Sequence, residues 1–415
     1  MSDMNYDALI IGGGASGLAA ACALSRRGRH VALLEKQPRV GRKLLSTGNG
    51  RCNLTNLSAS AGNYHGARQA VQAALRAWPP RRVMAFFDEL GIPCVADGAG
   101  RVYPMSNQAA SVLDALRLCC DERGVDTRTG FAVVRLERSG RGFEAVSSEA
   151  ERVRGRCALV CTGGLAAPKL GASGEGYWLL EAFGHGISPR FAAIAPLKTP
   201  PESVRGLKGI RAEGELTLLI DGETARAEMG EALFAEYGVS GIAAMQLARQ
   251  AAEALRAGRR CALRLNFAPG RDAAKLLARR AEQLPERRLE DFLNGIVAKR
   301  LGQALVKAAG LDMTLATGEL KPGQLNRLAD CLGGWTLPVT GTQDFDQAQV
   351  TAGGATLKDF DTRSMQSLRT PGLFAAGEVL DVDGDCGGFN LQWAWSSALM
   401  AAEGIDARLS EDRAQ

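Results

Sequence analysis

The amino-acid sequence predicts an α/β fold in which one discontinuous domain with a parallel sheet is interrupted by an inserted domain. A strand–turn–helix–strand unit opens the chain, the pattern changes near residue 189, and a glycine-rich style returns from about residue 349. Strands that alternate with helices form parallel sheets, joined by right-handed crossovers. We therefore predict a first domain at residues 1–188 and 346–415, and an inserted domain at residues 189–345.

The composition is that of an ordinary soluble globular protein. The 415 residues are 46% apolar and 23% charged, with a formal net charge of +5. This length suffices for two or three hydrophobic cores. No apolar stretch approaches the roughly 18 residues of a membrane-spanning helix, and the first residues lack the pattern of a signal peptide. We expect a cytoplasmic protein with reduced thiols and no membrane partner.

Metal and nucleic-acid sites are not indicated by the sequence. The ten cysteines and three histidines show no metal-ligand spacing, so we expect no metal site. Basic pairs such as Arg279-Arg280 and Arg287-Arg288 could form a face for a polyanion. Because Glu282 and Glu286 are interleaved with them, we favour a solvated helix face and expect no nucleic-acid partner.

The opening unit carries a dinucleotide-binding fingerprint. A short apolar strand leads into Gly12-x-Gly14-x-x-Gly17, and a helix of small residues follows. The first glycine permits the tight turn, the second lets the backbone approach a pyrophosphate, and the third lets the helix pack on the strand. Glu35 ends the next strand, where an acid can bind a ribose hydroxyl. Together these features predict a bound dinucleotide.

The rest of the first domain favours FAD over NAD. A long loop rich in Gly, Arg and Asn (41–56) follows the opening unit, where an NAD dehydrogenase continues with regular strand–helix repeats. Near the C-terminus a strand leads into Gly377 and Glu378, and a carboxylate there can bind the ribityl chain of a flavin. The CTGG segment (161–164) resembles the strand-end turn above the cofactor in FAD domains of the glutathione-reductase type.

The insert has a different pattern. Residues 189–268 read as strands of a second sheet, and residues 269–345 read mainly as helices. Leu289, Phe292 and Ile296 recur at helical spacing, which indicates a core-facing stripe.

Five segments give a specific family resemblance. They are GRKLLSTGNGRCNLTN (41–56), GRVYPMS (100–106), CTGGLAAPKLGASGEGY (161–177), VTAGGATL (350–357) and GLFAAGEVLDVDGDCGGFNLQWAWSSA (372–398). Over nearly its whole length the chain resembles the bacterial BaiN/YhiN-type flavoproteins, a family of NAD(P)/FAD-dependent oxidoreductases. The resemblance implies a discontinuous, Rossmann-like FAD-binding domain of the glutathione-reductase type, with an inserted β-barrel plus helical domain. It also implies FAD that is bound without a covalent link.

The resemblance further implies which residues bind the cofactor. The ADP half would be held by Gly12, Gly14, Ala15, Ser16, Gly17, Glu35 and Lys36, and the adenine by the backbone of Val133. The pyrophosphate and flavin would be bordered by Lys43, Gly50, Arg51, Cys52, Asn53, Thr162 and Gly163. The ribityl chain and flavin ring would contact Gly377, Glu378, Gly387, Gly388, Phe389, Asn390 and Leu391. Two alternatives stay open, since Val133 can be an ordinary strand valine and Arg51 can pair with a surface acid.

Three functions fit these features. The first is an NAD(P)H-driven flavin reductase that acts on a small molecule, with an activated C=C bond as its target in the family's bile-acid-type members. The second is a flavoenzyme of tRNA modification, and the third is a flavin-bound redox sensor or partner-binding protein without turnover. Because no second GxGxxG lies between a strand and a helix, we expect NAD(P)H to dock transiently as the reductant.

The sequence does not identify the catalytic residue. Cys52 and Cys386 both fall in loops predicted to face the flavin and are weak candidates for a redox pair, with plain packing as the favoured alternative. We also expect a helix that begins near Phe389 to point its N-terminus at the flavin. On that expectation, Asn390→Asp would lower the flavin's midpoint potential.

Overall fold

The computed structural model describes residues 5–414, with side chains as far as Asp412. It divides the chain into two compact units, one that combines Met1–Phe191 with Val350–Gln415 and one that comprises Ala192–Gln349. The boundaries expected from the sequence, 188/189 and 345/346, lie within four residues of these divisions. The assignment of the two units to separate domains stays a prediction.

The first unit is built from alternating strands and helices, which continue after the insert. Before the insert the strands are β1 (Tyr6–Ile11), β2 (Val31–Glu35), β3 (Thr55–Asn56), β4 (Tyr64–Gly66), β5 (Cys94–Ala96), β6 (Arg101–Pro104), β7 (Asp126–Thr129), β8 (Val133–Ser139), β9 (Gly142–Ser147) and β10 (Arg152–Val160). The helices there are α1 (Ala15–Ser25), α2 (Arg42–Ser46), α3 (Arg68–Ala77), α4 (Pro80–Asp88), α5 (Ala109–Glu122) and α6 (Glu175–Glu181).

The second unit begins within the short strand β11 (Phe191–Ala193). Its strands are β12 (Leu197–Lys198), β13 (Arg211–Ile220), β14 (Glu223–Ala235), β15 (Gly238–Ser240), β16 (Cys261–Asn266), β17 (Trp335–Val339) and β18 (Gly341–Thr342). Its helices are α7 (Ile242–Arg256), α8 (Ala273–Gln283), α9 (Leu289–Phe292), α10 (Lys299–Ala308) and α11 (Pro322–Gly334). The first unit then resumes with β19 (Val350–Ala352), β20 (Leu373–Ala375), β21 (Val382–Gly384) and α12 (Phe389–Ala414).

Short 3-10 helices lie in the loops between these strands and helices. They span Thr47–Gly50, Ala61–Asn63, Pro168–Leu170, Pro201–Val204, Thr317–Glu319, Leu357–Asp359 and Gly377–Val379.

The main sheet of the first unit has the strand order β7-β2-β1-β10-β9-β8, with β20 also paired to β10. Strands β2, β1, β10 and β20 run parallel to their neighbours, whereas β9 pairs with the first half of β10 antiparallel. The apolar run Ala8–Ile11 is buried throughout, as central strands covered on both faces require. The carboxyl ends of β1, β10 and β20 consequently meet at one edge, where ligands of open α/β sheets bind.

Helix α12 is fixed to the core of the first unit by buried hydrogen bonds. The indole N–H of Trp395 donates to the carbonyl of Leu54 at 3.0 Å, and Gln392 and Ser396 both donate to the carbonyl of Trp78. The helix begins at Phe389, which confirms the predicted start. These contacts fix the position of its N-terminus within the unit.

The second unit contains an antiparallel sheet of seven strands in the order β17-β16-β13-β14-β15-β12-β18. Along β13 Leu216, Leu218 and Ile220 are buried while Glu215 and Leu219 are partly exposed, the pattern of a sheet that covers a core with one face, although Thr217 on the other face is buried too. Strands β17 and β18 lie inside residues 269–345, which the sequence pattern presents as mainly helical. In β17 the buried residues Trp335, Leu337 and Val339 alternate with exposed ones. This alternation is too short to be recognised in the sequence between helical segments.

Candidate functional site

In the glycine turn after β1, two glycines are closely packed against backbone atoms and a third, Gly14, has empty space beside it. A Cβ added to Gly12, which has a φ of +105°, would lie 2.6 Å from the carbonyl oxygen of Cys161, and one on Gly17 would lie 1.9 Å from the oxygen of Gly12. A Cβ on Gly14 would meet no protein heavy atom within 4 Å. The fold itself therefore requires Gly12 and Gly17, while Gly14 borders space that a ligand can enter.

The N-terminus of α1 continues this turn. The helix begins at Ala15, its cap is Gly14, and its first turn holds no acidic residue. The first N–H groups of a helix have no acceptor within the helix, and the helix dipole makes this end electropositive. The backbone of Ala15, Ser16 and Gly17 thus offers donors suited to a phosphate.

Glu35 lies beside the turn at the end of β2. Its two carboxylate oxygens accept hydrogen bonds from the backbone N–H groups of Gly13 and Gln37, both at 2.7 Å. A carboxylate accepts about four hydrogen bonds, so capacity remains for ribose hydroxyls. The neighbouring Lys36 is engaged elsewhere, since its Nζ lies 2.7 Å from Glu175.

Backbone hydrogen bonds locate two further residues predicted at the cofactor, Val133 for the adenine and Thr162 for the pyrophosphate and flavin. The N–H of Phe131 donates to the backbone carbonyl of Glu35 at 2.9 Å, and this brings the start of β8, and with it Val133, toward the end of β2. On the other side of β1, the N–H of Cys161 donates to Ile11 at 2.8 Å. Thr162 therefore follows directly at the same sheet edge.

A partly buried network joins Lys43 to Glu378. The Nζ of Lys43 lies 2.8 Å from one carboxylate oxygen of Glu378, and the other oxygen accepts from the N–H of Thr351 at 2.9 Å. The buried hydroxyl of Thr351 accepts in turn from the N–H groups of Leu165 and Ala166. The sequence predicted Lys43 and Glu378 separately but missed Thr351, whose only signal is its place in the VTAGGATL segment.

The two flavin loops predicted from the sequence also lie together. The side chain of Asn56 donates to the carbonyl of Gly387 at 2.9 Å, and a Cβ on Gly388 would lie 2.7 Å from Oδ1 of Asn53. Within the described residues that Asn53 oxygen is buried and has no hydrogen-bond partner. A buried acceptor without a donor is costly, and a ring N–H of a bound ligand would satisfy it.

Other predicted site residues have open or partly exposed positions. Gly50 and Gly163 have left-handed backbone conformations, with no protein heavy atom near an added Cβ. The exposed Arg51 donates to the carbonyl of Gly48 at 3.1 Å, and its guanidinium lies 4.8 Å from the centre of the Tyr103 ring. Its side chain is therefore stacked on an aromatic ring.

The two candidate cysteines differ from reactive thiols. Cys52 is completely buried, and this burial raises its pKa to about 12. Burial also raises the pKa of Cys386. Because the thiolate is the reactive form, both thiols are protonated at neutral pH, which favours packing over redox chemistry. A catalytic role for either stays a prediction.

The side chain of Asn390 binds the loop before α12, and the expected effect of Asn390→Asp on the midpoint potential stays a prediction. Its Oδ1 accepts from the N–H of Gly384 at 2.8 Å, and its Nδ2 donates to the carbonyls of Gly384 and Asp385 at 2.8 and 3.2 Å. Asn390→Asp would lose those donors and place a carboxylate against carbonyl oxygens. The variant would loosen the loop before α12, so it cannot isolate the effect of the helix dipole on a flavin.

Phe389 and Leu391, also expected at the flavin, have packing roles. Phe389 is buried edge-on against the ring of Tyr64, with centroids 6.1 Å apart, and Leu391 packs on the same core. The Phe389 side chain therefore belongs to the protein interior, whereas that of Leu391 is only partly buried. Contact of either residue with a flavin stays a prediction.

Within the described part of the chain, no group of three or more His, Cys, Asp or Glu side chains could hold a metal ion. Nor does any helix among residues 5–414 have the length and hydropathy to cross a membrane.

Sequence comparisons show which family and which proteins the chain is similar to. The family model described as the HI0933-like protein Rossmann domain matches residues 6–404. A 3-dehydro-bile acid delta(4,6)-reductase of Clostridium scindens is 34% identical over 405 residues, which cover 96% of this chain and 98% of the relative. A ribosomal RNA dihydrouridine synthase of Escherichia coli is 29% identical over 412 residues, which cover 98% and 99%.

Solved structures share the fold. A 3-ketosteroid-delta4-(5alpha)-dehydrogenase of Rhodococcus jostii has a TM-score of 0.51 at 17% identity and covers 98% of both chains. A 3-ketosteroid delta1-dehydrogenase of Sterolibacterium denitrificans has a TM-score of 0.52 at 14% identity, with 97% and 99% covered. At such identities the likeness shows the fold alone, and it confirms the predicted Rossmann-type α/β class.

Proposed function

The chain belongs to the HI0933-like Rossmann-domain family and is an FAD-dependent oxidoreductase, and from this premise we propose that it uses NAD(P)H to reduce a C=C bond conjugated with a carbonyl group. The names of the relatives support this reaction. One is a delta(4,6)-reductase of a 3-dehydro-bile acid, and another makes dihydrouridine. Both names describe the addition of two hydrogens to a double bond near a carbonyl, although one substrate is a small molecule and the other an RNA.

The open position at Gly14 is the observation that carries the proposal. Beside it lie the N-terminus of α1 for a pyrophosphate and Glu35 for a ribose, the two groups that an FAD fingerprint must provide. The Lys43–Glu378 pair and the unpartnered oxygen of Asn53 supply further polar groups for the rest of the cofactor. Bound there, FAD would supply the chemistry of hydride transfer between a nicotinamide and the substrate. The protein's part is to bind and orient it.

NAD(P)H would act as a transient reductant. The sequence has one GxGxxG between a strand and a helix, and FAD takes that site. We therefore propose that the nicotinamide docks only for hydride transfer, with slow flavin reduction and weak saturation. Saturation at micromolar NAD(P)H would instead require a dedicated site for that nucleotide.

Anaerobic turnover tests the reaction. The purified flavoprotein would be reduced with NADPH and mixed with a steroid that carries a 4,6-diene conjugated to a 3-oxo group. We expect reoxidation of the flavin and a product heavier by two hydrogens, with one deuterium transferred from deuterated NADPH. The proposal would be refuted if dioxygen reoxidised the reduced flavin but no conjugated alkene did so.

Uridine in ribosomal RNA is the second candidate substrate. It is favoured by the dihydrouridine synthase names and by the charge of the second unit, where residues 256–300 hold twelve Lys and Arg against five Asp and Glu. Arg279, Arg287 and Arg288 are exposed, and within the described residues no carboxylate forms a salt bridge with them. Lys299 and, less strongly, Arg287 lower the pKa of Asp291, so Arg287 does face an acid. Cations outside salt bridges nevertheless suit a phosphate backbone.

A charge variant distinguishes the two candidates. Replacing Arg279, Arg287 and Arg288 by Gln should weaken binding of ribosomal RNA and reduce its salt dependence, since each phosphate contact adds about one to the salt slope. Turnover of a small conjugated ketone should be unchanged. Unaltered RNA binding in the triple variant would exclude these three arginines as the RNA-binding surface. Conversion of the steroid without conversion of RNA uridine would support the small conjugated ketone as the substrate.

A further inference from the structure

The side chain of Thr351 ties strand β19 to the loop that follows β10. Its hydroxyl oxygen accepts hydrogen bonds from the N–H groups of Leu165 at 2.7 Å and Ala166 at 2.9 Å. A hydroxyl oxygen has two acceptor positions, and these two donors fill both of them. Thr351 is 1% exposed, so bulk solvent does not reach this contact. The hydroxyl therefore fixes the strand to the loop.

The backbone of the same residue holds the carboxylate of Glu378. The N–H of Thr351 donates to one carboxylate oxygen at 2.9 Å, and the other oxygen lies 2.8 Å from Nζ of Lys43. The side chain of Lys43 is long and partly exposed, whereas the amide of Thr351 belongs to a strand and cannot turn away. The orientation of the carboxylate consequently depends on where the Thr351 backbone is held.

The surroundings offer no other support for this carboxylate. A Cβ added to Gly164 would lie 2.5 Å from the hydroxyl oxygen of Thr351 and 2.8 Å from the Glu378 oxygen that Thr351 holds, so the loop closes directly over the pair. Burial and, after it, the charge of Glu378 raise the pKa of Tyr177, which places that phenol in the same region. Among the described residues, however, the buried Tyr177 hydroxyl has no hydrogen-bond partner.

We propose that Thr351 is a positioning residue for FAD, whose hydroxyl fixes the strand amide that holds Glu378 in place for the ribityl chain. The inference rests on the proposed FAD site and goes beyond it, because Thr351 acts through Glu378 and not by contact with the cofactor. Valine has the shape of threonine but lacks the hydroxyl. In Thr351→Val the N–H groups of Leu165 and Ala166 lose their acceptor, which is costly for buried donors, and the strand is released from the loop.

Titration of the full-length chain with FAD, after removal of its own flavin, tests the proposal. Thr351→Val should raise the dissociation constant for FAD by about 10- to 100-fold, the equivalent of one hydrogen bond to a charged group. Thr351→Ser keeps the hydroxyl and should bind FAD within about threefold of the natural protein. The control Thr199→Val removes another buried hydroxyl, one without a partner among the described residues, and should leave the dissociation constant unchanged.

A double-mutant cycle with Glu378→Ala separates positioning from general destabilisation. Once Glu378 is absent, Thr351→Val should change FAD affinity by less than about threefold. Urea unfolding of each apoprotein checks that it folds, and Thr351→Ala takes the place of valine if Thr351→Val does not. The proposal would be overturned by an unchanged dissociation constant in Thr351→Val, by an equal loss in Thr351→Ser, or by the same loss with and without Glu378. A natural protein that binds no FAD would instead refute the proposed function itself.

Discussion

Replacing Gly14 by Ala separates cofactor binding from folding. The added Cβ meets no protein atom within 4 Å, and the backbone there is extended, with a φ of −82° and a ψ of −166°, which alanine adopts freely. Folding stability should therefore stay the same or rise by about 0.4–1 kcal/mol, because alanine has less freedom in the unfolded chain. The new methyl group instead occupies the space through which a pyrophosphate approaches α1.

The expected loss of FAD affinity follows from the donors at that helix end. A displaced phosphate would lose about two charge-assisted hydrogen bonds, each worth roughly 1.5–3 kcal/mol. The dissociation constant for FAD should then rise by about 10²- to 10⁴-fold. Titration of apoprotein with FAD, followed by quenching of flavin fluorescence, measures this change, while urea unfolding of the apoprotein measures stability.

Two matched variants complete the comparison. Gly98→Ala makes the same change at another glycine with no neighbouring atoms, so it should have the same small effect on stability but leave FAD binding unchanged. Gly17→Ala would force a Cβ to 1.9 Å from a backbone oxygen, so it should destabilise the apoprotein itself. If Gly14→Ala bound FAD as tightly as the natural protein, the pyrophosphate would have to lie elsewhere and the interpretation of this turn would be wrong.

Three further outcomes are expected. Trp395→Phe removes the buried hydrogen bond to Leu54 and should lower the free energy of unfolding by about 1–3 kcal/mol, measured by urea denaturation against the conservative control Trp178→Phe on the surface. The hydrogen bond from Arg154 lowers the pKa of Glu144, so the stability that this carboxylate adds is present at neutral pH and is lost as the pH falls through its lowered folded pKa. Thermal unfolding of Glu144→Gln should accordingly show a deficit at pH 7 that vanishes in acid, and a deficit independent of pH would exclude the ionic cause. Cys52→Ser, at a buried thiol, should retain flavin reduction by NADPH, and loss of all electron transfer with FAD still bound would establish a redox role.

Local patterns in the sequence predicted one half of the site. Gly12, Gly14, Gly17 and Glu35 lie in one continuous unit, where a turn, a helix and a strand have characteristic residues at fixed spacing. Such short-range patterns specify backbone geometry directly. The structure accordingly places the carboxylate of Glu35 on the N–H of Gly13, inside the same turn.

The pairings across long stretches of chain could not be predicted in this way. Lys43 meets Glu378 and Thr351 supports that carboxylate, but no local periodicity records contacts between residues so far apart in the chain. Asn390 shows the same limit at short range. Its position at the start of α12 follows from the sequence. That its side chain binds the backbone of Gly384 depends on how the loop packs, which the sequence pattern does not show.

Cofactor analysis of the purified full-length protein tests the assignment most directly. The protein would be denatured, and the released flavin would be identified by mass and quantified against the chain. We expect about one FAD per chain, released without proteolysis, since the fingerprint turn and α1 form one non-covalent site. Release of FMN, or a colourless protein that fails to quench added FAD, would contradict the assignment of this family member as an FAD enzyme.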